Sequence, residues 1–392
     1  MFKEYILGEL CTIENGSREK GGAIKFGIPS IGGEQIDING KIINEKMKYI
    51  SEEHFLKMKQ GILKQGDILL VKDGATTGKT AYYENMYPKA AVNEHVFILR
   101  ANNLVLSKLL YYKIRSKEVQ QLIQSHMKGL IGGINLSIKN FKISIPSTLA
   151  EQQEIVDVLD AASEIIRLRT ACIESAQSLI PALFQEMFSQ YANSQNRTKL
   201  NYLFEFKSGG TPSKQVKEFF TGKIPWVTTI ALNKLFIDQN DANELITEDA
   251  IKKSSTKLIP ANSLLFGTRV GIGKLAINKV PMCTNQDIAA LIPLKNNNLN
   301  LIYTYWYLKQ INKFFVANGR GATIKGITTN LVKNTEIILP PMEQQELFAE
   351  KVQEIEAYIK TQQAELENAK TMFQSLLQHS FTGELTRRAY GE

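Results

Sequence analysis

The sequence has little of what covalent cross-linking, metal binding or membrane insertion would need. Of its 392 residues three are cysteine and four histidine. Cys11, Cys172 and Cys283 are scattered, odd in number and without a CxxC spacing; His54, His95, His126 and His379 form no cluster with them. This speaks against a disulfide framework or a structural zinc site, and a reducing cytosol fits best. No run approaches ~18 consecutive apolar residues, so no segment reads as a membrane span. The start, MFKEYILGELC, carries Glu4 and Glu9 and lacks the apolar core of a signal peptide.

Motifs for group transfer are missing as well. The run DGATTGKT at 73–80 follows a strand-like ILLV and invites comparison with a phosphate-binding P-loop. That motif needs four residues between its glycines, whereas Gly74 and Gly78 enclose three, and the AYYENMY that follows reads as strand where a P-loop opens a helix. The glycines read instead as a tight turn bringing Lys72 and Lys79 close to a phosphate backbone. Amine methylation would need a (D/N/S)PP(Y/F) loop, but the one Pro-Pro pair, Pro340-Pro341, is flanked by Leu339 and Met342. No GxSxG elbow and no convincing set of acidic metal ligands beside a lysine is present.

What is there is charge, unevenly laid out. The net +8 divides into +7 over residues 1–150, −5 over 151–195, +10 over 196–340 and −4 over 341–392. Two basic blocks, each followed by an acidic segment, suit a polyanion partner, because each neutralised phosphate releases counterions. Two ordinary basic domains remain the plainer alternative.

The same order marks an internal repeat. Glu151-Gln152-Gln153-Glu154 recurs as Glu343-Gln344-Gln345-Glu346, each after a proline-marked exit from a β-like run: KISIPSTLAEQQE and EIILPPMEQQE. Long glycine-free segments follow. At alternating steps of four and three the first presents Ile155, Leu159, Ala162, Ile166, Arg169, Ile173, Ala176, Ile180 and Leu183. The second presents Phe348, Val352, Ile355, Ile359, Gln362, Leu366, Ala369, Phe373 and Leu376, at a constant offset of 193. An a/d seam sustained over four heptads predicts a coiled coil. Its 28 steps span about 42 Å at ~1.5 Å per residue. If the seams pair, chain order makes them antiparallel, and Arg169 and Gln362, the central polar positions, are expected at one level as a register-fixing layer. Pro181 is expected to kink or restart the first helix.

The basic halves repeat more faintly. GLIGGINLSIKNFKISIP (129–146) aligns with GATIKGITTNLVKNTEIILP (321–340), setting Gly133-Ile134 on Gly326-Ile327. LKQGDILLVKDGATTGKTAYY and IPANSLLFGTRVGIGKLAI both read as strand, glycine-rich turn, strand, with Asn93 and Asn285 placed similarly after them. The openings GELCTIENG and NYLFEFKSGG match. Short β-branched runs with helices over 107–125 and 300–317 predict an α+β globule in each half. Turns rich in Gly, Thr, Ser and basic residues are the candidate DNA contacts. They hold Lys72, Lys79, Lys128, Asn135 and Lys139 in the first half. In the second they hold Thr211, Ser213 and Lys214 of SGGTPSK, Thr228, Arg269, Lys274, Arg320 and Lys325. Lys and Arg hold phosphates, while Arg, Asn and Thr read base edges. Trp226 either packs in the core or borders the reading surface.

At PSTLAEQQEIVDVLD, LPPMEQQELFAEKVQE, the ending LLQHSFTGEL and the opening FKSGGTPSK with IPWVTT, the chain resembles the specificity subunit of type I restriction–modification enzymes over essentially its whole length. The first copy ends ALFQEMFSQYAN and lacks the FTGEL tail. The resemblance implies an α+β architecture with pseudo-twofold internal duplication: two target recognition domains separated by two long antiparallel coiled-coil helices. The expected order is recognition domain 1 over 1–147, spacer helix 1 over 148–192, recognition domain 2 over 193–340, spacer helix 2 over 341–385 and a tail over 386–392. It further implies a non-catalytic reader of a bipartite, asymmetric double-stranded DNA site, in a prokaryotic cytoplasm, that docks two methyltransferase subunits and restriction subunits. The assembled complex would be an adenine-N6 DNA methyltransferase and ATP-dependent endonuclease; S-adenosylmethionine, ATP and magnesium would belong to those partners and no cofactor to this chain. A coiled-coil scaffold carrying two ligand-binding domains, without DNA, is the competing reading.

Overall fold

A computed structural model describes residues 2–128, 132–295, 298–321 and 325–382. The tail over 386–392 and the last residues of the expected second spacer helix lie outside these. The chain divides into two compact units, one joining residues up to Thr170 with the chain from Ala364 onward, the other running from Ala171 to Gln363.

In the first unit a four-stranded antiparallel sheet is ordered Cys11–Asn15, Val96–Ala101, Ile68–Val71, Thr80–Tyr82. Ile68, Leu70 and Leu99 face a core shared with the helix Ser107–Arg115, while Leu69, Val71 and Ile98 face a second core beneath a three-stranded sheet. The alternation is what a sheet covered on both faces requires. That smaller sheet is ordered Lys48–Ile50, Ile28–Ile31, Ala91–Val92, and Phe2–Ile6 pairs separately with Lys142–Pro146. The second unit repeats the plan. Phe204–Ser208, Ile288–Pro293, Leu264–Gly267 and Leu275–Asn278 form the larger sheet, extended by a short parallel strand, Phe236–Ile237. Glu244–Ile246, Ile224–Val227, Met282–Thr284 and Leu258–Ile259 form the smaller, and Arg197–Lys199 pairs with Glu336–Ile338.

The helices expected over 107–125 and 300–317 are each broken in two. Ser107–Arg115 gives way to Lys117–Ser125 at Ser116, whose hydroxyl caps the second piece, and Leu301–Gln310 gives way to Asn312–Ala317.

The two seam helices are Leu149–Phe188, 40 residues, and Met342–His379, 38 residues. Within each unit they run antiparallel. In the first, Ile155, Leu159 and Ala162 enter the same core as Phe373 and Leu377, and farther along Arg169 pairs with Glu365. In the second, Cys172 Sγ lies 2.8 Å from Tyr358 Oη, and Phe184 and Phe188 pack edge-on to Phe348. The ion partner of Arg169 is thus Glu365, one turn along from Gln362.

Two expectations need correcting. The helix does not restart at Pro181 but runs through it. The carbonyl of Gln177, deprived of its amide partner by the imide nitrogen, lies on an exposed face where water can serve it. The seam also shifts by one residue at its far end. Leu183 and Leu376 are half-buried, while Phe184 and Leu377 are buried and lead on to Phe188 and Phe381. An α-helix drifts about 20° per heptad against a strict seven-residue repeat, so the inward face moves over four heptads and the globular cores take it up.

Each long helix is pinned at its start by a glutamine. Gln152 Nε2 donates to the carbonyls of Pro146, at 3.0 Å, and Leu104, at 3.1 Å, and its Oε1 accepts from the Leu106 amide at 2.9 Å. Gln345 does the same with Pro340, Asn298 and Asn300, at 2.8, 3.3 and 2.9 Å. The equivalent residues are therefore the second of one EQQE and the third of the other. The repeated tetrapeptide is out of step by one, and the offset of 193 is the structural one.

Candidate nucleic-acid interface

In each unit four loops meet around one short segment, Asn93–His95 in the first and Asn285–Asp287 in the second. The knot is repeated bond for bond. Gly16 N donates to Val96 O and Ser17 N to Val92 O; Gly209 N donates to Ile288 O and Gly210 N to Thr284 O. Asn93 N donates to Ile31 O, as Asn285 N does to Val227 O. Lys72 N donates to His95 O and Lys72 O accepts from Ile134 N; Thr268 N donates to Asp287 O and Thr268 O accepts from Ile327 N. Glycine is required where the loops cross. A Cβ on Gly16 would come within 1.9 Å of Asn93 O, and one on Gly209 within 2.2 Å of Asn285 O. The turns Gly74–Gly78 and Gly271–Gly273 each carry two glycines at positive φ, 90° and 91° in the first, 81° and 74° in the second, which admits the tight reversal between strands.

Antiparallel bridges between Lys128 and Gly133 and between Arg320 and Gly326 close the knot, and Thr77 Oγ1 donates to Gly132 O at 2.8 Å. The surface so assembled is basic. Lys128 in one unit and Lys274, Arg320 and Lys325 in the other are exposed, as is Lys139, which lies against Gly8 at the end of strand Cys11–Asn15 away from the knot. Among the described residues no carboxylate lies within ion-pairing reach of these five. Asn135 is exposed too, though its Oδ1 accepts from Ser137 N at 2.8 Å and caps the following turn.

The remaining candidates are tethered. Lys72 Nζ donates to Asn15 Oδ1 at 2.9 Å and lies 5.0 Å from the centre of the Phe97 ring. Lys79 Nζ donates to Ile36 O at 3.1 Å. Both ammonium groups thus point toward the domain, and not outward from the glycine turn as its spacing suggested. Lys214 pairs with Glu244 and stands over Phe220 and Trp226. Thr228 donates to Asn243 Oδ1 and Thr211 to Gln286 Oε1, whereas Ser213 is exposed beside them. Trp226 is buried, and its indole donates to Gly210 O at 3.0 Å, so it belongs to the core while fastening the SGG loop.

Sequence reasoning passed over one loop. The run after Gly16, with Arg18, Lys20 and Lys25, holds the place that SGGTPSK holds in the second unit. With Asn93, Glu94, His95 and Lys48, Arg18 and its neighbours line a cleft of about 300 Å³. The signal was available, since the openings GELCTIENG and NYLFEFKSGG align, and carrying the repeat a few residues further reaches it.

The site has no reactive thiol. Burial pushes the Cys11 thiol up to about 12 and the Cys283 thiol up to about 11, so both stay protonated and inert at neutral pH. No group of His, Cys, Asp and Glu that could hold a metal ion occurs among the described residues, and none of their helices is long and apolar enough to cross a membrane.

Fold and site define a class: a tandem binding module whose two α+β units present the same loop knot with different side chains. The chain belongs to the type I restriction modification DNA specificity domain family, whose model matches residues 1–176 and again 196–369. It is 29% identical over 258 residues to the EcoR124I/EcoR124II specificity subunit of Escherichia coli, an alignment covering 64% of this chain and 63% of that protein. The HindI specificity subunit of Haemophilus influenzae is 22% identical over 79% of this chain and 83% of its own length. The type I restriction-modification S subunit of M. genitalium has the same fold, with a TM-score of 0.59 at 17% identity over 97% of this chain and 96% of its own. The family is described by its role in DNA specificity.

Proposed function

We propose that the chain is the DNA-reading subunit of a type I restriction–modification complex, each unit reading one half of a bipartite, asymmetric site in duplex DNA. One observation carries this: both units set exposed cations, without an ion-pair partner among the described residues, and glycine-rich turns beside the same loop knot, yet outward positions of the knots differ, as at Asp73 and Arg269 or His95 and Asp287. Conserved backbone with divergent side chains suits two heads of one design that read different bases. The two long helices, of 40 and 38 residues, extend about 57–60 Å at ~1.5 Å each. Their acidic outer faces suit docking of two methyltransferase subunits, with restriction subunits completing the assembly in a prokaryotic cytoplasm. Adenine-N6 methylation and ATP-dependent cleavage would then be chemistry of those partners, which would bring S-adenosylmethionine, ATP and magnesium.

The test is binding of the chain, assembled with its methyltransferase partner, to duplex DNA across a salt series. Affinity should fall steeply with salt, by roughly one power per phosphate contact. Absence of binding, or binding indifferent to salt, would favour the scaffold with two ligand-binding domains. Exchange of residues 1–147 for those of another family member should alter one half-site and leave the other.

A further inference from the structure

At the centre of each loop knot lies one pair of side chains that the duplication has inverted. In the first unit Asp73, on the glycine turn, accepts from His95, on the central segment: Oδ1 to Nδ1 is 2.5 Å. In the second the turn carries the cation and the segment the carboxylate, with Arg269 Nε 3.7 Å from Asp287 Oδ1. The backbone bonds described above make these positions equivalent. Lys72, before Asp73, and Thr268, before Arg269, each join the segment and the closing turn by the same two hydrogen bonds.

Exposure follows the chemistry rather than the chain position. The nitrogen side chains are half exposed, His95 at 52% and Arg269 at 53%, and the carboxylates are recessed, Asp73 at 34% and Asp287 at 14%. Asp287 is steadied further by Asn285 Nδ2 at 3.2 Å. The outer nitrogen of His95, Nε2, lies 3.5 Å from Glu94 Oε1, itself 3.6 Å from Arg18 Nε, beside the cleft lined by Ser17, Asn93 and Lys48. A recessed carboxylate beside the inner nitrogen of a planar side chain, hydrogen-bonded in the first unit and ion-paired at 3.7 Å in the second, biases the direction of the outer one. That gain in orientation is what reading a base edge demands and what holding a phosphate does not.

We infer that His95 and Arg269 are the corresponding base-reading residues of the two units, each facing a base edge in the major groove, and that Asp73 and Asp287 are their positioning residues. Arg269 has the fork for guanine O6 and N7; His95, with its Nδ1–H given to Asp73, presents Nε2 as an acceptor for the amino group of adenine or cytosine. The inference rests on the DNA-reading function proposed above and assigns residues to it.

The experiment uses the chain assembled with its methyltransferase partner and a duplex library randomised over the recognised site, scored by methylation. Arg269→Gln should lower discrimination about 10-fold or more at one base pair of the half-site read by the second unit, and His95→Gln should do so at one base pair of the other. Asp73→Asn and Asp287→Asn should relax the same two positions by a smaller factor without changing the salt dependence. Each variant carries its own folding control, because the untouched half-site must still be read. An even loss across all sequences, with a salt slope lowered by about one, would make Arg269 or His95 a phosphate contact and overturn the assignment; so would relaxation in the wrong half-site. A native assembly without any sequence preference would instead sink the DNA-reading function itself.

Discussion

The two units build one backbone from different interiors. Where the long helices meet the second unit, Phe184, Phe188, Tyr303 and Phe348 form an aromatic cluster, with Phe184 stacked on Tyr303 at 5.7 Å and Phe188 edge-on to it at 4.8 Å. The equivalent place in the first unit holds Ile155 and Leu377, and polar bonding takes over part of the work. Asp160 accepts from Tyr112 Oη at 2.6 Å and from Lys108 Nζ at 2.8 Å. Burial, with Asp160 as acceptor, pushes the Tyr112 phenol up. The glutamine clamp at the head of each helix is the same in both. A core accepts many combinations of apolar side chains if volume and pattern are kept, but a buried set of backbone donors and acceptors admits very few partners. Divergence after duplication has therefore remade the packing and left the polar clamp alone.

That contrast can be broken most sharply at Phe348. Phe348→Ala should destabilise the second unit by about 3–5 kcal/mol, and Ile155→Ala, the matching change, should cost the first unit less, about 2–4 kcal/mol; urea unfolding followed unit by unit reads both. The clamps should behave alike. Gln152→Ala and Gln345→Ala each strand a buried amide and two carbonyls, and each should cost about 2–3 kcal/mol; a clear inequality would show that the clamp is not the invariant part. Pro181 has Gln374 as its equivalent in the second helix. Pro181→Gln restores the missing amide and should stabilise by about 1–3 kcal/mol, visible as a higher Tm.

The smallest expected effect concerns Glu356, which stands where the first helix has Ser163. Burial raises its carboxyl above the ordinary range. A raised folded-state value favours the protonated form, so its contribution to stability is complete at low pH and is lost as pH rises through that value. Glu356→Gln, a mimic of the protonated side chain, should raise Tm by about 1–2 °C at neutral pH, and the gain should vanish below about pH 4. A gain that persists in acid would place its origin elsewhere.

Much of the architecture was legible because it is periodic. The nine-for-nine seam positions stand at one offset, and Ile155, Leu159, Ala162, Ile173, Ala176 and Ile180 are all buried where that offset places them, as are Phe348, Val352, Ile359, Leu366, Ala369 and Phe373. The far-end shift to Phe184 and Leu377 was not legible, since it comes from helical drift that only the globular cores reveal. The loops were legible as groups and not as residues. Lys72 and Lys128 look alike in sequence, yet one is held by Asn15 and the other is exposed, with no ion-pair partner among the described residues.

By itself the sequence determined the duplication, the helix pair, the alternation of charge and the family, since each is written in composition or in spacing along the chain. Only the tertiary structure decided which of two EQQE glutamines is the clamp, which cations are spent on the protein and which face outward, and that Asp73–His95 and Arg269–Asp287 are one device with its charges exchanged. Those facts depend largely on contacts between residues 18 to 57 positions apart, whose pairing is set by the crossing of loops in space and leaves no regular mark on the chain.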